Sequence, residues 1–249
     1  MFVTRMLNQN HHIHQDAKNV NSTYPDVLLT IPTLNEEEAI EGLIDEARLS
    51  GFSKILVVDG LSDDRTREVA AAEGARVAIQ EFGKGKGCGV RTGMKLFLDG
   101  DSKFLAIIDG DGTNIPSHLG LMIPLARSGT ADVVLGSRTR GPRQKNSMPM
   151  LSLASNLTVS FLLGAKFYRL FTDVQTGYWL FTREAVERIY PRMQSTGFEI
   201  ELELFVTIFK EGLRVVEVPV GFRTRKGKTK FSFTLRMRSL YLAFKYLAS

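Results

Sequence analysis

The chain has 249 residues, 43% of them hydrophobic and 24% charged, which is enough apolar material for one α/β core of ordinary size. Its single cysteine, Cys88, excludes an internal disulfide framework and any cysteine-built zinc site, and it suits a reducing compartment, by default the cytoplasm. A net charge of +5 and an isoelectric point near 9.3 point to an anionic partner: a nucleotide, a phospholipid surface or a nucleic acid.

Residues 1–24 are rich in Asn, His and Gln, lack apolar periodicity and carry no signal peptide, so they read as a mobile extension. His11, His12 and His14 belong to that polar tail rather than to a metal site. Residues 27–31 are a β-branched and apolar run stopped by Pro32, which predicts a buried first strand. Asn35 offers an N-cap for a helix over 36–41, whose early acids suit the positive end of the helix dipole. A second strand over 54–58 ends at Asp59, and a helix follows over 65–73. A third strand over 76–80, a glycine loop over 83–89, a helix over 90–98 and a fourth strand over 104–108 ending at Asp109 complete the first half. This alternation predicts an α/β fold, a doubly wound, mostly parallel sheet flanked by helices with a Rossmann-like nucleotide-binding core. Ligands of such sheets sit beyond the carboxyl ends of the strands, where Pro32, Asp59 and Asp109 fall.

A strand over 133–135 leads into a polar, basic loop over 136–147 and then an amphipathic stretch over 148–171. Ser, Asn and Thr interrupt its apolar run, so it buries one face or lies on a membrane without spanning it. Nowhere does the sequence hold about eighteen uninterrupted apolar residues, the length a spanning helix needs. A strand over 178–181, a helix from Glu184, a helix over 199–210 and a strand over 214–218 follow. The domain is expected over 25–231, with a basic amphipathic helix over 232–249. Arg223, Arg225, Lys226, Lys228, Lys230, Arg236 and Arg238 lie in one stretch without an acid, a concentration suited to phosphate or an anionic membrane surface.

Three motifs stand at strand ends. Asp109-Gly-Asp-Gly112 sets two carboxylates on a turn, close enough to share one cation, and such oxygen ligands suit Mg²⁺ or Mn²⁺ holding a substrate diphosphate. Taken alone, such a pair is more often an ordinary acidic turn. Asp59-Gly-Leu-Ser-Asp-Asp-Arg-Thr66 ends the second strand, and Pro32-Thr-Leu-Asn-Glu-Glu37 the first. The segment Gly85-Lys-Gly-Cys-Gly-Val-Arg-Thr-Gly93 lacks the closing Lys-Ser/Thr of a P-loop and does not fit GxGxxG, so neither an ATPase nor a dinucleotide enzyme is supported.

As a set, in this order, the three motifs resemble glycosyltransferase family 2. The resemblance implies a GT-A fold in which Pro32, Thr33, Leu34, Asn35, Glu36 and Asp59 hold the nucleotide base and ribose, while Asp109, Gly110 and Asp111 handle the diphosphate and the metal. The glycine segment is similar to the family's GKG-x-A-x-x-x-G, with Gly89 in place of alanine, and implies that Lys86 reaches the nucleotide or diphosphate. Thr172-Asp-Val-Gln-Thr-Gly177, Gly197-Phe-Glu-Ile-Glu201 and Arg225-Lys-Gly-Lys-Thr-Lys230 resemble elements of the polyprenyl-phosphate (dolichol-phosphate) sugar synthases. They imply that Asp173, Gln175, Thr176, Glu201, Arg225 and Lys230 serve the acceptor. Thr113 departs from the Gln that several mannosyl enzymes place there as a further metal-site residue.

The implied reaction is metal-dependent, inverting transfer from a UDP- or GDP-linked sugar to a polyprenyl phosphate at the cytoplasmic face of a membrane, by a peripheral protein. A phosphate monoester is already anionic at neutral pH and needs orientation and charge screening more than a general base, a task suited to Arg138 with Arg225 and Lys230. The alternatives are a small soluble acceptor, a nucleotidyltransferase, or a nucleic-acid-binding protein. The last lacks any RRM, helix-turn-helix or zinc signature and leaves the paired aspartates unexplained.

Overall fold

The computed structural model describes residues 22–227 and 233–248. Strands β1 (Val27–Thr33), β2 (Lys54–Asp59), β3 (Arg76–Ile79), β4 (Phe104–Ile107), β5 (Val133–Ser137), β6 (Trp179–Thr182) and β7 (Val215–Pro219) form one sheet in the order β3-β2-β1-β4-β6-β5-β7. β1, β2, β3 and β4 are parallel, β5 is parallel to β7, and β6 runs antiparallel to both of its neighbours. The chain winds outward from β1 through β2 to β3 and then crosses back to β4 on the other side of β1. That reversal opens a crevice at the carboxyl ends of β1 and β4.

The flanking α-helices are α1 (Glu37–Leu49), α2 (Thr66–Ala72), α3 (Lys86–Leu98), α4 (Leu119–Arg127), α5 (Met150–Lys166), α6 (Arg183–Ile189), α7 (Ile200–Lys210) and α8 (Phe233–Ala248). α1 buries Ala39, Ile40, Leu43, Ile44 and Ala47, the three-and-four spacing of a single helical face. Successive strand residues point to opposite faces and feed two cores. Leu29, Ile31, Ala106 and Ile108 join one with Ile40, Ile44 and Phe52; Leu105, Ile107, Trp179 and Phe181 join the other with Met94, Phe97 and Phe205. Burial on both faces is why β2 and β4 read as unbroken apolar runs. Each large side chain buried in this way contributes roughly 1.5–3 kcal/mol.

The strands fall within two residues of their expected ends, but several expectations need correction. Residues 22–24 are fixed to the domain: the Thr23 and Tyr24 amides donate to the Gly51 carbonyl, and the Tyr24 ring stacks on Phe52 at 4.9 Å. His11, His12 and His14 lie outside the described residues. Asn35 does not cap α1; it takes a left-handed φ of 50°, and its side-chain oxygen accepts from the Asp63 amide in the neighbouring loop. α3 begins at Lys86, so half of the expected glycine loop is helical. α4 was not anticipated, because Pro116 and Pro124 mask its apolar face of Leu119, Met122, Ile123 and Ala126. The C-terminal helix α8 packs on α5 and α7, and Ala243 enters the second core, so the helix belongs to the domain body.

Candidate active site

A cavity of about 620 Å³ opens in the crevice beyond the carboxyl ends of β1 and β4. Its rim is built by two loops laced together. The Asn35 amide donates to Ser62 Oγ at 2.9 Å and the Glu36 amide to Thr66 Oγ1 at 2.8 Å, so the β1–α1 and β2–α2 loops move as one. Asp59 anchors this lacing from below. Its fully buried carboxylate accepts from the Ser62 amide at 2.9 Å and from Ser62 Oγ at 2.5 Å.

Asp109 and Asp111 face the cavity from the turn after β4, and each meets its own cation. Lys86 Nζ lies 2.6 Å from Asp109 and 2.6 Å from Glu201, joining the turn to α7. Local geometry explains how Lys86 gets there: Gly85 and Gly87 pass so close to residues 195–197 that a Cβ on either would fall 2.5 Å from the Thr196 carbonyl or 2.4 Å from that of Ser195. Only glycine permits this approach. Burial alone would depress the Lys86 pKa, yet the two carboxylates more than reverse that and raise it. Burial pushes Glu201 up, against the pull of Lys86, whereas for Asp109 the attraction of Lys86, with Arg138 and Arg225, overcomes burial and holds the carboxyl below its usual range.

Asp111 is held differently. One carboxylate oxygen accepts from the Thr113 amide and hydroxyl at 3.1 and 2.6 Å, and the other meets Arg225 at 2.6 Å. Arg225 also pairs with Glu36 at 2.5 Å. The segment carrying Arg225 is strapped across the turn: the Arg223 amide donates to the Thr113 carbonyl and the Lys226 amide to that of Asp111. His118 Nδ1 accepts from the Gly221 amide at 2.8 Å, and Arg223 grips Glu46 through two bonds of 2.8 Å.

On the far wall, Arg138 lies flat against Asp173, with Nε and Nη2 at 2.8 and 2.7 Å and a third bond from Nη2 to the Gln175 carbonyl. Asp173 is fully buried and also accepts from Asn156 Nδ2 at 2.9 Å. A bidentate pair of this kind fixes the plane of the guanidinium.

Pro32, Thr33, Leu34, Glu36, Lys86, Asp109, Gly110, Asp111, Arg138, Gln175, Glu201 and Arg225 therefore line one cavity. Asn35 is exposed on the rim, while Asp59, Asp173 and Thr176 are buried behind the lining and position it; Thr176 accepts from the Tyr178 amide and from the Trp179 indole. Of the three alternating acids at the start of α7, Glu201 alone faces inward. Glu199 accepts from the Gly197 amide and Arg238, and Glu203 from the Gln194 and Ser195 amides. Lys230 lies outside the described residues. Sequence reasoning missed Gln80, Asn156 and Phe198, which also line the cavity. Gln80 directly follows β3, so the strand-end rule that found Asp59 could have found it. Asn156 had no such signal, because it arrives from the middle of α5.

The two carboxylates fit a hard divalent cation, which characteristically uses one or two carboxylates and completes its shell with water and substrate phosphate. Among the described residues no group of three His, Cys, Asp or Glu side chains is placed to hold a metal by itself.

The model of glycosyl transferase family 2 matches residues 29–190, a span holding all three strand-end motifs. The chain belongs to glycosyl transferase family 2. Its family 2 relatives include a dolichyl-phosphate hexose transferase of Haloferax volcanii, 34% identical over 84% of this chain and 87% of that protein. An undecaprenyl-phosphate mannosyltransferase of Micrococcus luteus is 31% identical over 83% of this chain and 87% of its own length. Among solved structures, glucosyl-3-phosphoglycerate synthase of Mycobacterium tuberculosis, in complex with Mn²⁺, uridine diphosphate and glucosyl-3-phosphoglycerate, superposes with a TM-score of 0.68 at 20% identity. The match covers 94% of this chain and 83% of that one. The likeness establishes the GT-A fold.

Proposed function

We propose that this glycosyltransferase moves a sugar from a nucleoside diphosphate sugar to a polyprenyl phosphate, with inversion at the anomeric carbon, at a membrane surface. One observation carries the reading: the cavity holding Asp109 and Asp111 is lined also by Met148, Pro149 and Ser152 at the start of α5, a helix that exposes apolar side chains along its length. Met150, Leu151, Leu157 and Phe161 are exposed along α5, and Tyr168 and Leu170 beyond its end are 95% and 93% exposed. A groove of about 590 Å³ lies among Leu157, Phe161, Tyr168 and Leu170. Met237, Tyr241 and Phe244 add an exposed apolar stripe on α8, which packs against α5. Exposed apolar side chains in this number on two packed helices suit an acyl or prenyl environment better than water. No described helix is long and apolar enough to cross a membrane. The names of the Haloferax and Micrococcus relatives support a polyprenyl acceptor as well.

In this reading an oxygen of the acceptor phosphate attacks the anomeric carbon, and the bond to the nucleoside diphosphate breaks with its electron pair leaving on the diphosphate. Bound at Asp109 and Asp111, Mg²⁺ or Mn²⁺ would screen the charge on that leaving group. Lys86 holds Asp109 ionised and aimed at the diphosphate. Arg138, fixed in plane by Asp173, faces the acceptor side, and Arg225 reaches the acceptor phosphate once it leaves Asp111 and Glu36. The acceptor oxygen needs no base, since the phosphate is already ionised.

Arg225 turns inward, so in this form it does not meet lipid headgroups, and Arg238 pairs with Glu199 while 59% exposed. Membrane attachment therefore rests on the apolar stripes, with Arg238, Lys245 and the tail cations adding electrostatic attraction. Supplying the purified protein with Mn²⁺, a panel of UDP- and GDP-sugars and a short-chain polyprenyl phosphate tests the proposal. A glycosylated lipid phosphate is expected. Transfer to phosphoglyceric acid in its place would establish the soluble-acceptor reading, which the similarity to glucosyl-3-phosphoglycerate synthase motivates.

A further inference from the structure

The cavity lining includes a group that neither the motifs nor the reaction assigns. Gln80 follows β3 and is 9% exposed. Its side-chain Nε2 donates to the Gly83 carbonyl at 2.6 Å. A carbonyl only accepts, so the amide nitrogen must face Gly83, and the amide oxygen is thereby turned the other way, towards the cavity. There it lies between two glycines: a Cβ built on Gly60 would come within 3.3 Å of it and one on Gly89 within 3.5 Å. Both neighbours thus leave the oxygen uncovered. The same construction places Leu34 Cβ 3.5 Å from the Gly60 position and Pro32 Cβ 3.2 Å from that of Gly89, so apolar walls flank the acceptor.

Pro32, Leu34, Gly60, Gln80 and Gly89, none of them charged, line the same cavity as Lys86, Asp109, Asp111 and Arg225. The Thr33 carbonyl, the nearest atom to the Gly60 position at 3.0 Å, already accepts from the Gly60 amide, so the Gln80 oxygen is the acceptor left to a ligand. Apolar walls with such an acceptor, in a cavity that also holds Asp109 and Asp111, suit a flat heterocycle that offers an N–H. Asp59, the other acceptor nearby, has both carboxylate oxygens engaged by Ser62 and does not line the cavity.

We infer that Gln80 reads the base of the donor, its amide oxygen accepting the ring N–H of a uracil- or guanine-type base. The inference rests on the nucleoside diphosphate sugar reading above. Cytosine and adenine present a ring nitrogen acceptor at the corresponding place, which the oxygen repels. Gly89, where the family segment has alanine, widens the approach to that oxygen by one methyl group.

The test is calorimetric binding of UDP, GDP, CDP and ADP, together with N3-methyl-UDP and N1-methyl-GDP, to the wild-type protein and to Gln80→Met. Wild type is expected to bind UDP or GDP about tenfold or more tightly than its ring-methylated counterpart, the scale of a buried acceptor left unpaired. Gln80→Met should bind the parent and methylated nucleotides alike. The wild-type comparison needs no variant, so a misfolded Gln80→Met would not spare the inference. Equal wild-type affinity for methylated and parent nucleotide overturns it, as does undiminished discrimination by a folded Gln80→Met. If UDP or GDP binds and sugar transfer proceeds without such discrimination, the role of Gln80 alone fails; if no nucleotide binds, the donor reading fails with it.

Discussion

Arg225→Met tests whether the strapped arginine and a divalent cation compete for Asp111. The guanidinium stands 2.6 Å from Asp111 and 2.5 Å from Glu36 and is only 22% exposed. At an effective dielectric near 20, each contact is worth about 4 kcal/mol of Coulomb energy, most of it offset by desolvation of three charges. Removing one partner of a buried pair costs more than the pair contributes, about 3–5 kcal/mol, because the carboxylates lose the cation they share. Taking about 3 kcal/mol, and 2–4 °C per kcal/mol for a domain of this size, the metal-free variant should melt roughly 6–12 °C lower. A divalent cation binding the same carboxylate would recover part of that loss, and recovery of about 1.4 kcal/mol tightens its affinity tenfold. Thermal melts across a MnCl₂ titration, without nucleotide, measure both effects. The expected result is a lower starting melting temperature with half-maximal recovery at tenfold less Mn²⁺ than wild type needs. An Mn²⁺ response equal to or weaker than wild type would refute the competition and remove Asp111 from the metal site.

Asp59→Ala leaves the Ser62 amide and hydroxyl without their acceptor and loosens the laced rim, so nucleoside diphosphate binding should weaken by roughly 1–3 kcal/mol; unchanged calorimetric affinity would count against a nucleotide role. Lys86→Met strips the cation from between Asp109 and Glu201. Glu201, already raised from its ordinary 4.5 by burial, then rises further, and a raised carboxyl is tolerated below that value and penalised as pH climbs. Wild-type Lys86, raised above its ordinary 10.5, keeps its full contribution throughout that range. The stability deficit of the variant in urea melts should therefore widen from pH 5 to pH 8, and a deficit constant with pH would contradict the coupling. Phe161→Glu combined with Tyr241→Glu places two charges on the α5 and α8 stripes, both exposed at present, so folding should be nearly unchanged while flotation with anionic liposomes is lost. Flotation equal to wild type would remove the stripes from membrane docking.

Local pattern carried the strands and the positions of their ends, because β1, β2 and β4 are buried on both faces and punctuated by Pro32, Asp59 and Asp109. The pairing of charges was not legible. Arg225 meets Asp111 across 114 positions and Glu36 across 189, and sequence spacing says nothing about such neighbours. Spacing placed Asp109 and Asp111 on one turn, but not the cations that meet them there, Lys86 at Asp109 and Arg225 at Asp111. The glycines around Lys86 were ambiguous for a related reason. Gly85 and Gly87 answer to the backbone of residues 195–197, an approach fixed by how α7 packs against α3. Asn35 fits a cap by residue type, yet the neighbouring loop captures its side chain. The run of cations near the C-terminus suits phosphate or an anionic surface by its sequence, but Arg223 and Arg225 pair with Glu46, Glu36 and Asp111.

The most direct test of the account is the product itself. Purified protein, Mn²⁺ and radiolabelled UDP-glucose, UDP-N-acetylglucosamine or GDP-mannose would be incubated with a short-chain polyprenyl phosphate or with phosphoglyceric acid, and the label followed into organic and aqueous phases. The account predicts that one donor labels the polyprenyl phosphate, that EDTA abolishes the transfer, and that phosphoglyceric acid stays unlabelled. Label confined to phosphoglyceric acid, or lipid labelling undiminished in EDTA, would contradict it.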